Sequence, residues 1–364
     1  MHRLKRVRNH RIFTSDHRLR IPSILTHHSK DSNSDMNAEN GLPLGASDLA
    51  SRLRPLDSLP AHGVWSPVLV PLRPDLDIDA PRFIAHAKWL LAQGCHGLAI
   101  FGTTGEANSF TVAERMALLE SAVKDGIPAV SFMVGSGCCA LGDTVALTRH
   151  ALDLGCRRVL MLPPFYYKNM SDEGLYRSYA QAIERIGSDD LRIFLYHFPK
   201  ISQIPLTEGL IRRLVEGFPR IIAGVKDSSS DWANTKMLIE AFPGLAIFPG
   251  SEIFLLDGLR AGGAGCITAT SNINAAGARA IFDAHRAMRE DEADERQAQA
   301  TAIRRAIDRF PGIPAQKWLI ARFRKDPVWR SPRPPLLALD DDEGKALLEA
   351  LSATDFDGSR LALT

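Results

Sequence analysis

The chain has 364 residues, of which 45% are hydrophobic and 24% charged, and its formal net charge is +2. These are the proportions of an ordinary soluble globular protein, and so small a charge gives no global argument for nucleic-acid binding. No apolar run approaches the roughly 20 residues of a membrane helix, so neither a membrane nor a nucleic-acid partner is expected.

Residues 1–60 differ from everything after them. MHRLKRVRNHRIFTSDHRLR carries seven Lys/Arg against one Asp, and HHSKDSNSDMNAENG is polar and poor in aromatics. Such composition cannot bury enough surface to order itself, so 1–60 is expected to be a disordered extension outside the catalytic unit. It lacks the continuous apolar core of a secretory signal. Its charge would suit an organelle-targeting segment, against which its His and Asp residues count.

From Gly63 onward short apolar runs alternate with helical patterns. The predicted strands are VWSPVLV (64–70), HGLAIFG (96–102), AVSFMVG (129–135), RVLMLP (158–163), LRIFLYH (191–197), RIIAGVK (220–226), LAIFPG (245–250) and AGCITAT (264–270). Runs that are apolar on both faces point to a parallel sheet covered by helices. The intervening helices DAPRFIAHAKWLLAQG, TVAERMALLESAVKDG and LGDTVALTRHALDLG each end in the glycine that relieves a left-handed position. Eight strand–helix units predict an α/β fold, a (β/α)₈ TIM barrel over 61–290. C-terminal helices follow over 291–330, then a tail with a short helix over 331–364. A dinucleotide-binding sheet would want GxGxxG after the first strand, where the chain has LRPDLDID.

The five cysteines, Cys95, Cys138, Cys139, Cys156 and Cys266, form no CxxC or Cys/His cluster. Free thiols suit a reducing, cytoplasmic compartment. The histidines are scattered and no carboxylates cluster at strand ends, so neither a metal nor a cofactor is expected.

In a barrel the C-terminal strand ends share one rim, where active sites lie. That rim would collect Thr103, Thr104 and Glu106, then Tyr166 and Tyr167, Tyr196 and His197, Lys226, Gly250 with Ser251, and Ile267. Lys226 closes an apolar strand, where a lysine either pairs with Asp227 or Asp231 as a first exposed residue or works as an amine. Six converging regions favour the second reading. A desolvated amine can attack a ketone, and the protonated imine draws electrons from the adjacent carbon, so carbon–carbon bonds can be made or broken without a metal. Tyr196 can move the required protons, with Thr104 as next link and Tyr167 beyond it. The Thr103 and Thr104 N–H groups suit a small carboxylate, or cap a helix. A 2-oxo acid fits both ends of this arrangement. Glu106 is read as a salt-bridged loop acid, and His197 as a rim residue rather than the base.

FGTTGEANSFT, PPFYYKNMSDEGLY, LYHFP and GVKDSS together resemble the dihydrodipicolinate synthase/N-acetylneuraminate lyase family of class I aldolases, over residues 62–326. The resemblance implies that Lys226 forms a Schiff base with pyruvate, that Tyr196 shuttles protons, that Thr104 relays them and holds the carboxylate, and that Tyr167 is lent across a dimer interface in a homotetramer. It also implies that Gly250 and Ile267 line the pyruvate pocket. The synthases carry an arginine for aspartate semialdehyde after the strand-five tyrosine; here that position holds Ile201, with Lys200 before it and Ser202 after. Arginine and lysine are not equivalent for a planar carboxylate. The resemblance therefore implies first a pyruvate-dependent aldolase or lyase acting on a 2-oxo acid such as a 2-keto-3-deoxy sugar acid. The alternatives are 4-hydroxy-tetrahydrodipicolinate synthase, a related dehydratase, and a silent barrel that binds such acids. His197 and Ser251 are further candidates for contact with the aldehyde partner.

Overall fold

An alternating strand–helix chain folds most simply by laying each strand beside its predecessor. In the computed structural model, which describes residues 62–362, the strands are β1 (Gly63–Ser66), β2 (Gly97–Ile100), β3 (Phe132–Gly135), β4 (Arg158–Met161), β5 (Arg192–His197), β6 (Ile222–Asp227), β7 (Ala246–Pro249) and β8 (Gly265–Ile267). They pair in parallel in sequence order from β1 to β7, and β8 returns to β1. The Ala264 N–H donates to Ile247 O at 2.9 Å and bridges the last seam, so the sheet closes into a barrel. The basic extension 1–60 lies outside the described residues.

The helices are α1 (Ala80–Ala92), α2 (Val112–Lys124), α3 (Leu141–Asp153), α4 (Asp172–Ile186), α5 (Pro199–Ser202), α6 (Glu208–Gly217), α7 (Trp232–Ala241), α8 (Leu255–Arg260), α9 (Ser271–Arg286), α10 (Glu290–Ile307), α11 (Gly312–Arg324) and α12 (Asp341–Ser352). Their starts are written locally. Thr111 and Glu114 form a reciprocal capping box on α2, while Ser171 and Thr207 cap α4 and α6 with their hydroxyls. Gly94, Gly126 and Gly155 end α1 to α3 at φ of +98°, +88° and +84°, the conformation their sequence positions imply.

The strands are shorter than the apolar runs. Val68, Leu69 and Val70 are fully buried beyond the end of β1, and Ala129–Ser131 forms a 3₁₀ turn before β3. Burial under helices keeps residues apolar after the ladder has ended, so hydropathy alone overextends each strand.

Inward-facing side chains, among them Trp65, Met133, Leu160, Phe194 and Phe248, fill the barrel, while two larger clusters pack between sheet and helices. The β5–β6 ladder carries a register shift between Ile193 and Phe194, and beyond it Tyr196 stands opposite Lys226. Ile222 and Val225 both belong to the outer cluster, three residues apart, whereas Ala223 faces the inner one. A strand of strict period two cannot do this; one extra residue in β6 can. Without that bulge Lys226 would point outward at the helices. With it, Lys226 points into the barrel.

Helices α10 to α12 share one apolar cluster with α1, α2 and α9, so residues 291–362 pack on the barrel's own outer core. A buried ion pair between Lys317 on α11 and Glu106 adds a polar tie, both side chains being fully buried. Glu106 also accepts from the Arg333 N–H at 2.7 Å. Glu106 is thus the salt-bridged loop acid expected from the sequence, and its partners come from the C-terminal helices and tail.

Candidate active site

The rim of the barrel opens into a cavity of about 390 Å³ lined by Lys226, Tyr196, Thr103, Thr104, Gly250 and Ile267, with further residues from α10 and α11. Six of the residues proposed from the sequence therefore meet in one space. Ser251 lines it as well.

Lys226 is 3% exposed, and its Nζ lies 4.3 Å from the centroid of the Tyr196 ring. A cation over a ring face is attracted by the quadrupole, which holds the amine beside the phenol without an acid pairing it. Its two neighbouring acids are otherwise engaged. Asp227 accepts from the Ser229 N–H at 2.9 Å, Asn234 Nδ2 at 3.0 Å and Thr235 Oγ1 at 2.6 Å, and Asp231 caps α7. The surface-pair reading of Lys226 does not hold.

The Tyr196 hydroxyl lies 3.2 Å from Thr103 Oγ1. The direct partner is thus Thr103, where the sequence reading placed Thr104; both threonines line the cavity. Phe101 and Glu106 take φ of 55° and 53°, and these two left-handed residues turn the chain around Thr103–Gly105. Among the described residues no main-chain acceptor meets the Thr103 and Thr104 N–H groups, which leaves a small nest of donors at the cavity.

Gly250 is fixed by space. A Cβ there would stand 2.2 Å from Ser228 Oγ, and the Gly250 N–H donates to Asp227 O at 2.7 Å. A side chain there would displace the Ser228 hydroxyl and crowd the Asp227 carbonyl, 3.1 Å from the added carbon.

Three proposed residues stand elsewhere. His197 alternates outward from Tyr196; its ring is buried and Nδ1 accepts from the Leu206 N–H at 3.0 Å. Burial pushes its pKa down, against the opposing pull of Asp227, so the imidazole is a neutral structural group rather than a substrate contact. Ile201 sits on the short helix α5 with 59% of its surface exposed and does not line the cavity. Tyr167 is 72% exposed beside Tyr166, ring centroids 5.3 Å apart, and within one chain does not line it either.

The sequence reading missed the far wall. Arg304 and Asp308 of the α10 end, Gln316 of α11, and Ser228 and Thr270 all line the cavity. Arg304 Nη1 reaches Glu252 Oε2 at 3.2 Å and its Nε reaches Asp308 Oδ1 at 2.8 Å. Burial opposes this guanidinium's charge, but Glu252 and Asp308 outweigh it and its pKa is raised. Glu252 is 2% exposed and also takes hydrogen bonds from the Thr268 and Thr270 hydroxyls. In sequence Arg304 and Asp308 look like an ordinary surface pair one turn apart. The available signal was Gln316-Lys317, two polar residues inside the stretch Pro314–Ala321, which is otherwise apolar and buried throughout.

Among the described residues no helix is long and apolar enough to cross a membrane. Residues 60–354 match the model of the dihydrodipicolinate synthetase family. An uncharacterized DapA-like lyase of Chloroflexus aurantiacus is 36% identical over 290 residues, 79% of this chain and 95% of that protein. A protein of Emericella nidulans, named a probable mitochondrial 4-hydroxy-2-oxoglutarate aldolase, is 31% identical over 80% of this chain and 94% of its own length. The crystal structure of dihydrodipicolinate synthase from Agrobacterium tumefaciens superposes with a TM-score of 0.74 at 32% identity, covering 81% of this chain and 99% of that one. With an eight-stranded barrel and this rim, the chain belongs to the dihydrodipicolinate synthetase family and is an enzyme of its class I, pyruvate-dependent aldolase and lyase type.

Proposed function

We propose that the protein reversibly cleaves a 2-oxo acid, of the 2-keto-3-deoxy sugar acid class, into pyruvate and an aldehyde through a Schiff base on Lys226. The observation that carries this reading is the buried Lys226 amine, without a carboxylate partner among the described residues and 4.3 Å from the Tyr196 ring centre in the cavity. The substrate carboxylate would rest on the Thr103 and Thr104 N–H groups and present its ketone to Lys226. Nζ adds to the ketone carbon, and the oxygen leaves as water once protons have been delivered. A base takes the proton from the hydroxyl of the departing carbon, and the carbon–carbon bond pair flows into the protonated imine. The aldehyde leaves and an enamine stays on Lys226. Protonation of that enamine and hydrolysis of the resulting imine release pyruvate and return the amine. Tyr196, hydrogen-bonded to Thr103, is the group placed to carry these protons.

The likeness to the Agrobacterium synthase supports a second reading, condensation of pyruvate with L-aspartate semialdehyde. Ile201 at the arginine position counts against it. Pyruvate release from 2-keto-3-deoxy acids of increasing chain length, assayed beside that condensation, separates the two. Faster condensation than any cleavage would restore the synthase reading. The exposed Tyr166 and Tyr167 suit burial against a second copy, and the functional unit is proposed as a cytoplasmic homotetramer built from dimers. Sedimentation at assay concentration tests the assembly, and a fully active monomer would refute it.

A further inference from the structure

Between α11 and α12 the C-terminal tail reaches the barrel rim, where Leu336 lines the cavity. Arg333, three residues earlier, ties this tail to the loops. Its main-chain N–H donates to Glu106 Oε2 at 2.7 Å. Its guanidinium donates from Nη1 to Ser109 O, and from Nη2 to Leu76 O and Glu114 Oε1, each at 2.7 Å. The Phe110 ring lies beneath it, 4.5 Å from ring centroid to Cζ. One residue thus grips the β1–α1 loop, both ends of the 3₁₀ turn that follows Glu106, and the first turn of α2.

The gripped segment continues directly from Thr103 and Thr104. The Glu106 N–H closes their turn by donating to Thr103 O at 3.0 Å, and Glu106 O accepts from the Ser109 N–H at 2.8 Å. Glu106 holds φ of 53°, a strained value for a residue with a side chain, and such a conformation persists only where its surroundings overdetermine it. Here the surroundings are Lys317 on one carboxylate oxygen and Arg333 on the other. Arg333 also takes Ser109 O, so it fastens the strained residue through its side chain and through the turn that follows.

We infer that Arg333 is a positioning residue for the substrate carboxylate: it holds the Glu106 turn so that the Thr103 and Thr104 N–H groups keep their aim. This rests on the proposed function, which seats the carboxylate on those two groups. Donors for an anion are effective when their geometry is fixed before the ligand arrives, and a small displacement forfeits much of the gain. The C-terminal tail then takes part in pyruvate recognition without touching pyruvate.

The test is borohydride trapping on the full chain with pyruvate and, in parallel, with pyruvamide, which keeps the size and the ketone but carries no charge. In Arg333→Met, which keeps the main-chain bond to Glu106 and removes the guanidinium, the pyruvate-to-pyruvamide ratio of trapping efficiency falls about tenfold. Arg333→Lys, which cannot reach two carbonyls and a carboxylate at once, lowers it about threefold. Arg260→Ala, which breaks the exposed pairs with Glu290 and Asp294, leaves the ratio within about twofold of the parent. Because both ketones are compared on one sample, a reduced folded fraction cancels; where Arg333→Met does not fold, Arg333→Lys decides alone. A ratio unchanged in the Arg333 variants, or lowered as much in Arg260→Ala, overturns the inference. Absence of an adduct at Lys226 in the parent sinks the proposed function, whereas an adduct with an unchanged ratio sinks this assignment alone.

Discussion

Tyr196 makes both of its useful contacts at once, its ring face toward the Lys226 amine and its hydroxyl 3.2 Å from Thr103 Oγ1. Replacing it by Phe keeps the ring and removes only the hydroxyl. Turnover in Tyr196→Phe is expected to fall about a hundredfold or more, while pyruvate binding measured by calorimetry changes far less, if the hydroxyl acts in proton transfer as proposed. Equal losses in both would mean that Tyr196 merely holds the ligand. At this scale the sequence was informative wherever a residue closes a strand: Lys226 and Tyr196 are legible because strand ends share the rim. Thr103 and Thr104 were separable only by the turn between two left-handed residues, which no hydropathy pattern records. His197 was misread because strand alternation, which sends it outward after Tyr196, was not applied to it.

The elements carry two features that aim and brace the site. The bulge in β6 turns Lys226 inward, and local sequence gives little hint of it beyond Ala223-Gly224, two small residues in an otherwise large apolar run. The second is the Glu106–Lys317 pair, which joins the turn holding Thr103 and Thr104 to α11, the helix that carries Gln316. Burial acts to lower the Lys317 pKa while Glu106 acts to raise it, and the net direction is down. Removing one partner strands a buried charge, so Lys317→Met is expected to cost roughly 3 to 5 kcal/mol in urea denaturation. Glu106→Gln combined with Lys317→Met is expected to cost clearly less, because no uncompensated charge remains. A double variant as unstable as the sum of the singles would show that the pair does not act as a unit.

Across the whole molecule, the barrel was readable from eight alternating units, whereas the placement of α10 and α11 at its mouth was not. Their amphipathic patterns say that they pack, but not on which part of the barrel; that is set by the outer cluster they share with α1, α2 and α9. The same burial makes stability sensitive to mild acid. His86 lies well below the ordinary imidazole range through burial, with Arg324 adding to it, and burial also lowers His96 and His197. An unfolded imidazole titrates near ~6.5, so below that pH the unfolded chain binds protons that the folded chain refuses. Stability is therefore full above about pH 6.5 and declines toward about pH 5, as the urea midpoint should report. Glu114, held down to about 2 mainly by Arg333, acts below this window: its contribution is lost as pH falls from the ordinary carboxylate value, about 4.5, toward about 2. A midpoint independent of pH across that interval would mean these rings protonate as freely folded as unfolded.

The central claim is that the Lys226 amine attacks a ketone, and borohydride reduction in the presence of pyruvate tests it most directly. Peptide mass mapping is expected to find one reduced pyruvyl adduct, on the peptide containing Lys226, and none in Lys226→Ala, whose activity should be abolished. An adduct on another lysine, or a Lys226→Ala protein that still turns over substrate at the parent rate, would contradict the account.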